Sequence, residues 1–197
     1  MKFHDQIDFN RLIGTHTILY GETNTKKTYF TAEFVKFLVN SNNFAPKQIS
    51  ILDFAPRLQK FGDLKIGGRI DDFYPESVQC RNISFEGGII PPRLTAKNKQ
   101  ELYKFAQLNY EKTHKSLEKF SQNPTKILII NDISIYLHLG DKKYLLDIIK
   151  KTHTFFGNSY YGSSIKGNFT FFFTLKEKRS VNYLIKKLNK SYRTGLR

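Results

Sequence analysis

Tryptophan is absent from this chain, and cysteine and methionine occur once each in 197 residues. The single Cys80 excludes an internal disulfide framework and any cysteine-based metal cluster. No apolar run approaches the roughly 20 residues that a membrane-spanning helix needs. The opening residues, Met-Lys-Phe-His-Asp-Gln-Ile-Asp, are polar and broken by charge, unlike a signal peptide. A soluble cytoplasmic protein without membrane insertion is expected. Acids are scarce too: 17 Asp and Glu face 32 Lys and Arg, for a net charge of +15. Such a field attracts nucleic acid, nucleotides or an anionic membrane surface. The excess concentrates after Leu175, where Lys176, Lys178, Arg179, Lys186, Lys187, Lys190, Arg193 and Arg197 stand against Glu177 alone. The histidines at 4, 16, 114, 138 and 153 show no metal-ligand spacing.

What is present is a globular pattern, with 40% hydrophobic residues and 18 phenylalanines. The length suits one domain over 1–197. His16 to Tyr20 reads as a strand, followed by a helix with Phe30, Phe34, Phe37 and Leu38 on one face. Gln48 to Phe54 reads as a second strand. Residues 57–97 form an irregular insertion, punctuated by Gly62, Gly67-Gly68, Pro75, Gly87-Gly88 and Pro91-Pro92. A long helix is expected from about Asn98 to Phe120, then a buried strand from Lys126 to Asp132. A short helix carries Tyr144, Leu145, Ile148 and Ile149. The spacing then predicts a loop over Gly157–Gly167, a central strand over Phe169–Thr174, and a last helix through Val181, Leu184, Ile185 and Leu188. Within that loop, Tyr160, Tyr161 and Lys166 read either as packing or as a stacking site for single strands. Alternating strands and helices imply a three-layer α/β fold with a mainly parallel sheet and helices on both faces.

The chemistry is carried by Gly21-Glu-Thr-Asn-Thr-Lys-Lys-Thr28, between the first strand and the first helix. This is the layout of a phosphate-binding P-loop, Gly-x-x-x-x-Gly-Lys-Ser/Thr, with Lys26 in place of the second glycine. The backbone of Gly21, Glu22, Thr23, Asn24, Thr25 and Lys26 would surround phosphate, aided by the positive end of the helix. Lys27 would reach the outer phosphates of ATP, and the Thr28 hydroxyl would hold Mg2+. Glu22 must point outward to avoid repelling phosphate. If position 26 needs positive φ, its lysine costs on the order of 1 kcal/mol. The alternative is that Lys26-Lys27 is only an exposed helix start. The strand ending at Asp132 supplies the acid that would orient the metal.

Phe9-Asn-Arg-Leu-Ile-Gly14 leading into Thr17-Ile-Leu-Tyr-Gly21, together with Ile129-Ile-Asn-Asp-Ile-Ser-Ile135, resembles RecA/KaiC/RadA-like P-loop ATPases. That resemblance implies an ATP–magnesium site. It also implies a sheet in which one strand lies between the loop strand and the Asp-terminated strand. The family's second strand normally brings a catalytic glutamate; here Asp53-Phe54-Ala55-Pro56 has none, leaving Asp53 as the substitute. Binding with weak or no hydrolysis follows. Lys178-Arg179, after the last expected strand, reads as a finger toward a γ-phosphate, in this chain or across an oligomer, or else as an ordinary helix turn. Two functional classes result: a nucleotide-dependent regulator or assembly partner, and a basic DNA- or RNA-binding recombinase paralogue. A small-molecule kinase is a third.

Overall fold

The computed structural model describes residues 7–61, 64–165 and 169–195. Among these described residues, eight strands and six α-helices follow in chain order. They are β1 His16–Gly21, α1 Lys27–Asn40, β2 Ile49–Asp53, β3 Gln59–Phe61, β4 Leu64–Ile66 and β5 Arg81–Asn82. Next come α2 Pro92–Thr95, α3 Lys99–Gln122, β6 Ile127–Asn131, α4 Ile133–Leu137 and α5 Lys142–Ile149. The chain continues through β7 Thr154–Tyr160, α6 Phe171–Lys187 and β8 Lys190–Thr194.

Alternation along the strands divides the core between two faces. Leu19, Ile51, Ile127, Ile129 and Phe156 turn toward α1, which answers with Phe30, Phe34, Val35 and Leu38. Ile18, Leu52, Leu128, Ile130 and Phe155 turn the other way, toward α3, α4, α5 and α6. Each fully buried Leu, Ile or Phe contributes about 1.5–3 kcal/mol, so a one-residue slip of any central strand would forfeit several such terms on both faces.

The six-stranded sheet runs β5-β2-β6-β7-β1-β8 with every pairing parallel. With helices on both faces of the sheet this is a three-layer α/β fold, in which β7 lies between the loop strand β1 and the acid-terminated strand β6. Because the strands are parallel, the ends of β1, β2, β6 and β7 open on the same edge, where ligands of open α/β sheets bind.

Two sequence expectations are corrected. The loop expected from Gly157 is instead the centre of β7, every residue of which is buried. Gly157 is there because α4 presses on it: a Cβ would meet Ile133 Cδ1 at 2.7 Å. The central strand expected over Phe169–Thr174 is instead the start of α6. Phe173, Glu177, Ser180, Val181 and Leu184 bury at helical spacing, while Phe171 and Phe172 face solvent. Lys166, Gly167 and Arg197 lie outside the described residues. The strand β8, Lys190–Thr194, adds an element beyond the last expected helix.

Gly21 ends β1 directly against β8, where a Cβ would meet the Thr194 carbonyl oxygen and Oγ1, both at 2.5 Å. Since one obstacle is backbone, Gly21→Ala is expected to push β8 away and cost about 1–3 kcal/mol. An unchanged urea midpoint would contradict this packing.

Candidate functional site

From Gly21 the backbone enters the loop and reaches α1 at Lys27. Asn24 and Lys26 both adopt positive φ, +57° and +62°. Lys26 therefore occupies the left-handed conformation that a glycine would take freely. Left-handed backbone costs an L-residue roughly 1–2 kcal/mol, so Lys26→Gly is expected to raise unfolding free energy by about 1 kcal/mol after the flexibility it adds to the unfolded chain. Lys26→Val should lower it instead. A destabilised glycine variant in chemical denaturation would show that the lysine side chain makes a compensating contact.

The loop is closed on itself. Thr25 Oγ1 donates to the Glu22 carbonyl at 2.8 Å and sits 2.6 Å from Thr194 Oγ1. Lys27 folds its Nζ inward, donating to the Glu22 carbonyl and to Thr25 Oγ1 at 3.3 Å. Burial pulls this amine down to about 8, against the attraction of Asp132 and Glu22. The Glu22 carboxylate does turn outward, taking the Ser163 N–H and the Ser164 hydroxyl at 2.5 Å. Burial works to raise its pKa, but the bonds from Ser164 and Ser163 outweigh it and hold the group below its ordinary value.

At the ends of β6 and β7 lies a chain of buried amides. Thr28 Oγ1 donates to Asn131 Oδ1 at 3.2 Å. The residue ahead of the expected acid, rather than the acid, meets the loop threonine. Asn131 Nδ2 donates to Asp53 Oδ1 at 2.8 Å and to the Gly68 carbonyl at 3.1 Å. Asn158 Nδ2 reaches Asn131 Oδ1 at 2.7 Å and Thr31 Oγ1 at 2.8 Å, while its Oδ1 accepts from the Asp132 N–H at 3.2 Å. These polar residues are buried without penalty because each has partners.

The two carboxylates expected to do chemistry differ in placement. Asp53 is buried, and its oxygens accept from the Ala55 N–H at 3.1 Å, the Ile70 N–H at 2.8 Å and Asn131. Burial raises it to about 6. Its hydrogen-bonding capacity is turned to the insertion and the sheet, so the base role expected of Asp53 does not fit its surroundings. Asp132 lines the cleft, in a left-handed conformation with φ +56°. It accepts from Ser134 Oγ at 2.5 Å and from the Tyr160 N–H. Burial raises its pKa, opposed by Ser134, Lys27 and Arg93. Three non-glycine residues in the left-handed region, Asn24, Lys26 and Asp132, thus face one cavity, a pattern typical of functional sites.

That cavity holds about 480 Å³, within the range of small-molecule sites. Thr23 to Tyr29 form one wall and Asp132, Asn158 and Tyr160 line its sheet side. The insertion supplies the other wall through Leu58, Ile66, Phe73 and Arg93. Arg93 carries no local sequence signal, yet it lines the cleft. Its guanidinium pairs twice with Glu177, at 2.5 and 3.2 Å, and lies 4.7 Å from the Tyr160 ring centre. Burial pushes Glu177 up to about 7 despite Arg93. His138, also lining the cleft, packs on Phe173, and burial holds its pKa well below the ordinary value. Lys178 and Arg179 do not line this cleft: Lys178 lies 5.8 Å from the Tyr161 ring centre, and Arg179 borders a separate groove.

Among the described residues there is no cluster of His, Cys, Asp and Glu that holds a metal by itself. Magnesium in phosphate sites keeps waters and phosphate oxygens and needs few protein ligands. The Thr28 hydroxyl and the Asp132 carboxylate, both lining the cleft, fit that modest requirement. No helix among the described residues is long and apolar enough to cross a membrane.

No family model matches the chain, and no curated protein matches it. Among solved structures the chain is similar to the Pif1 helicase from Candida albicans, at 14% identity and a TM-score of 0.42. The likeness covers 98% of this chain and 39% of that one, so the chain spans about two fifths of the helicase's length.

Proposed function

We propose that the cleft binds ATP with Mg2+ and turns it over slowly or not at all, the chain acting as a nucleotide-dependent regulator or assembly partner. The observation that carries this reading is the convergence of Lys27, Thr28 and Asp132 on one cavity at the carboxyl edge of the sheet. Lys27 meets the β- and γ-phosphates, exchanging its loop carbonyl for phosphate oxygens. Thr28 would ligate the metal and Asp132 would orient it. The apolar wall of Leu58, Ile66 and Phe73 suits a nucleobase. Within P-loop proteins, the RecA/KaiC/RadA-like branch is the one whose segments the chain resembles.

Slow turnover follows from the carboxylate count. With Asp53 enclosed, Asp132 alone must serve both the metal and the attacking water, and lack of a dedicated base costs about 10²–10⁴-fold. Titration calorimetry with Mg–ATP should show binding. Phosphate release by the isolated chain should run far below about 1 s⁻¹, the low end of usual enzyme rates. Absence of binding would overturn the reading; brisk release would overturn its second half. A second reading, a basic DNA- or RNA-binding relative, is favoured by one observation: the solvent face of α6 carries cations and no acid.

A further inference from the structure

Two phenylalanines at the start of α6 have no role in the core. Phe171 is 69% exposed and Phe172 75%, with ring centres 5.3 Å apart and planes at 79°. Phe172 begins a stripe at helical spacing that continues through Lys176, Arg179, Tyr183 and Lys186. The stripe borders a groove of about 410 Å³, completed by Lys142 at the start of α5. Glu177, the one acid of α6, faces the opposite way and is spent on Arg93. Among the described residues, none of Lys142, Lys176, Arg179 and Lys186 has a carboxylate within ion-pair distance. Asp141 also lines the groove, and its carboxylate caps α5 by accepting from the Lys143 N–H at 2.8 Å.

We propose that this face of α6 docks a single-stranded nucleic acid, with bases against Phe171 and Phe172 and phosphates along Lys176, Arg179, Lys186 and Lys142. Exposed ring faces next to uncompensated cations match a polyanion whose flat, apolar bases are unstacked. A duplex hides its base faces. A protein partner would meet an interface core depleted in charge, whereas these rings are bordered by cations. The surface lies on the far side of α6 from the nucleotide cleft and does not depend on it.

The test is fluorescence anisotropy of a labelled poly-thymidine oligonucleotide at two salt concentrations, without nucleotide. The wild type should bind, more tightly than it binds duplex. The double variant Phe171→Ala/Phe172→Ala should lose at least about tenfold with its salt slope retained. Lys176→Gln/Arg179→Gln should flatten that slope by about 0.7 for each contact removed, and Lys176→Arg should bind normally. Because the altered side chains are exposed, thermal unfolding of the variants should match the wild type. Lys27→Ala should bind the oligonucleotide fully, so failure of the cleft reading leaves this result intact. No oligonucleotide binding, equal binding by the phenylalanine variant, or binding only to phosphatidylserine vesicles would overturn the proposal.

Discussion

Lys27→Ala is expected to weaken ATP binding about 10- to 150-fold, since hydrogen bonds from a charged donor are worth about 1.5–3 kcal/mol. The same residue predicts proton uptake. Without ligand, burial holds its amine at about 8. Phosphate beside it restores the charged form, raising that pKa toward its ordinary value. Above pH 8 the wild type should therefore take up a proton on binding, and its affinity should fall as pH rises. Calorimetry in buffers of different ionisation heat reads this directly, and Lys27→Ala should lose the effect. Stability of the free chain moves the other way. Between pH 8 and the ordinary lysine value the unfolded chain holds the proton that the folded chain has released, so this group's contribution to stability rises with pH. No proton uptake at pH 9 would show that Lys27 does not meet the phosphates.

Glu177→Ala should produce the largest loss of stability. Glu177 is 1% exposed and Arg93 6%, and breaking such a buried pair costs about 3–5 kcal/mol because one charge stays behind. For a domain of this size that corresponds to roughly 6–20 °C in Tm. Replacing both partners with apolar residues, as in Arg93→Met with Glu177→Leu, should recover most of it. Lys178→Ala, next to Glu177 but with its amine toward the Tyr161 ring rather than bonded in the pair, should change stability by no more than about 0.5 kcal/mol. Calorimetric melting separates these cases, and a loss below about 1 kcal/mol for Glu177→Ala would mean that water already reaches the pair.

The elements legible in the sequence are those whose reasons are local. The loop from Gly21 to Thr28, the apolar stripe of α1 and the runs of β2 and β6 are each set by residues within one or two turns of one another. What was illegible depends on distant partners. Gly157, Asn158 and Ser159 read as loop because their composition is polar, yet Asn158 is satisfied by Thr31 and Asn131 and by the Asp132 N–H. Phe169 to Thr174 read as strand by β-propensity, yet Thr170 and Phe173 turn inward at helical spacing while Phe171 and Phe172 stay in solvent. Asn131 sits beside the acid the motif required, but its bond to Thr28 crosses 103 residues. Arg93 and Glu177 lie 84 residues apart, and neither has a neighbour that hints at the other.

The strand β8 has a consequence for how the molecule comes into being. Thr194 stands behind the loop, touching Thr25 Oγ1 169 residues earlier, and β8 pairs along β1 from Thr17 to Gly21. During synthesis the first turn of α1 emerges early, but the wall behind it is translated late. Until Lys190–Thr194 have left the ribosome, the edge of β1 stays open and the loop lacks its backing. A nascent chain stalled before Lys190 should thus fail to retain ATP, and a few more codons should confer retention abruptly. On the proposed reading of the cleft, nucleotide capture would report completion of the sheet, and a pool of ATP sufficient to occupy the site would act as the last clamp on the newly made fold.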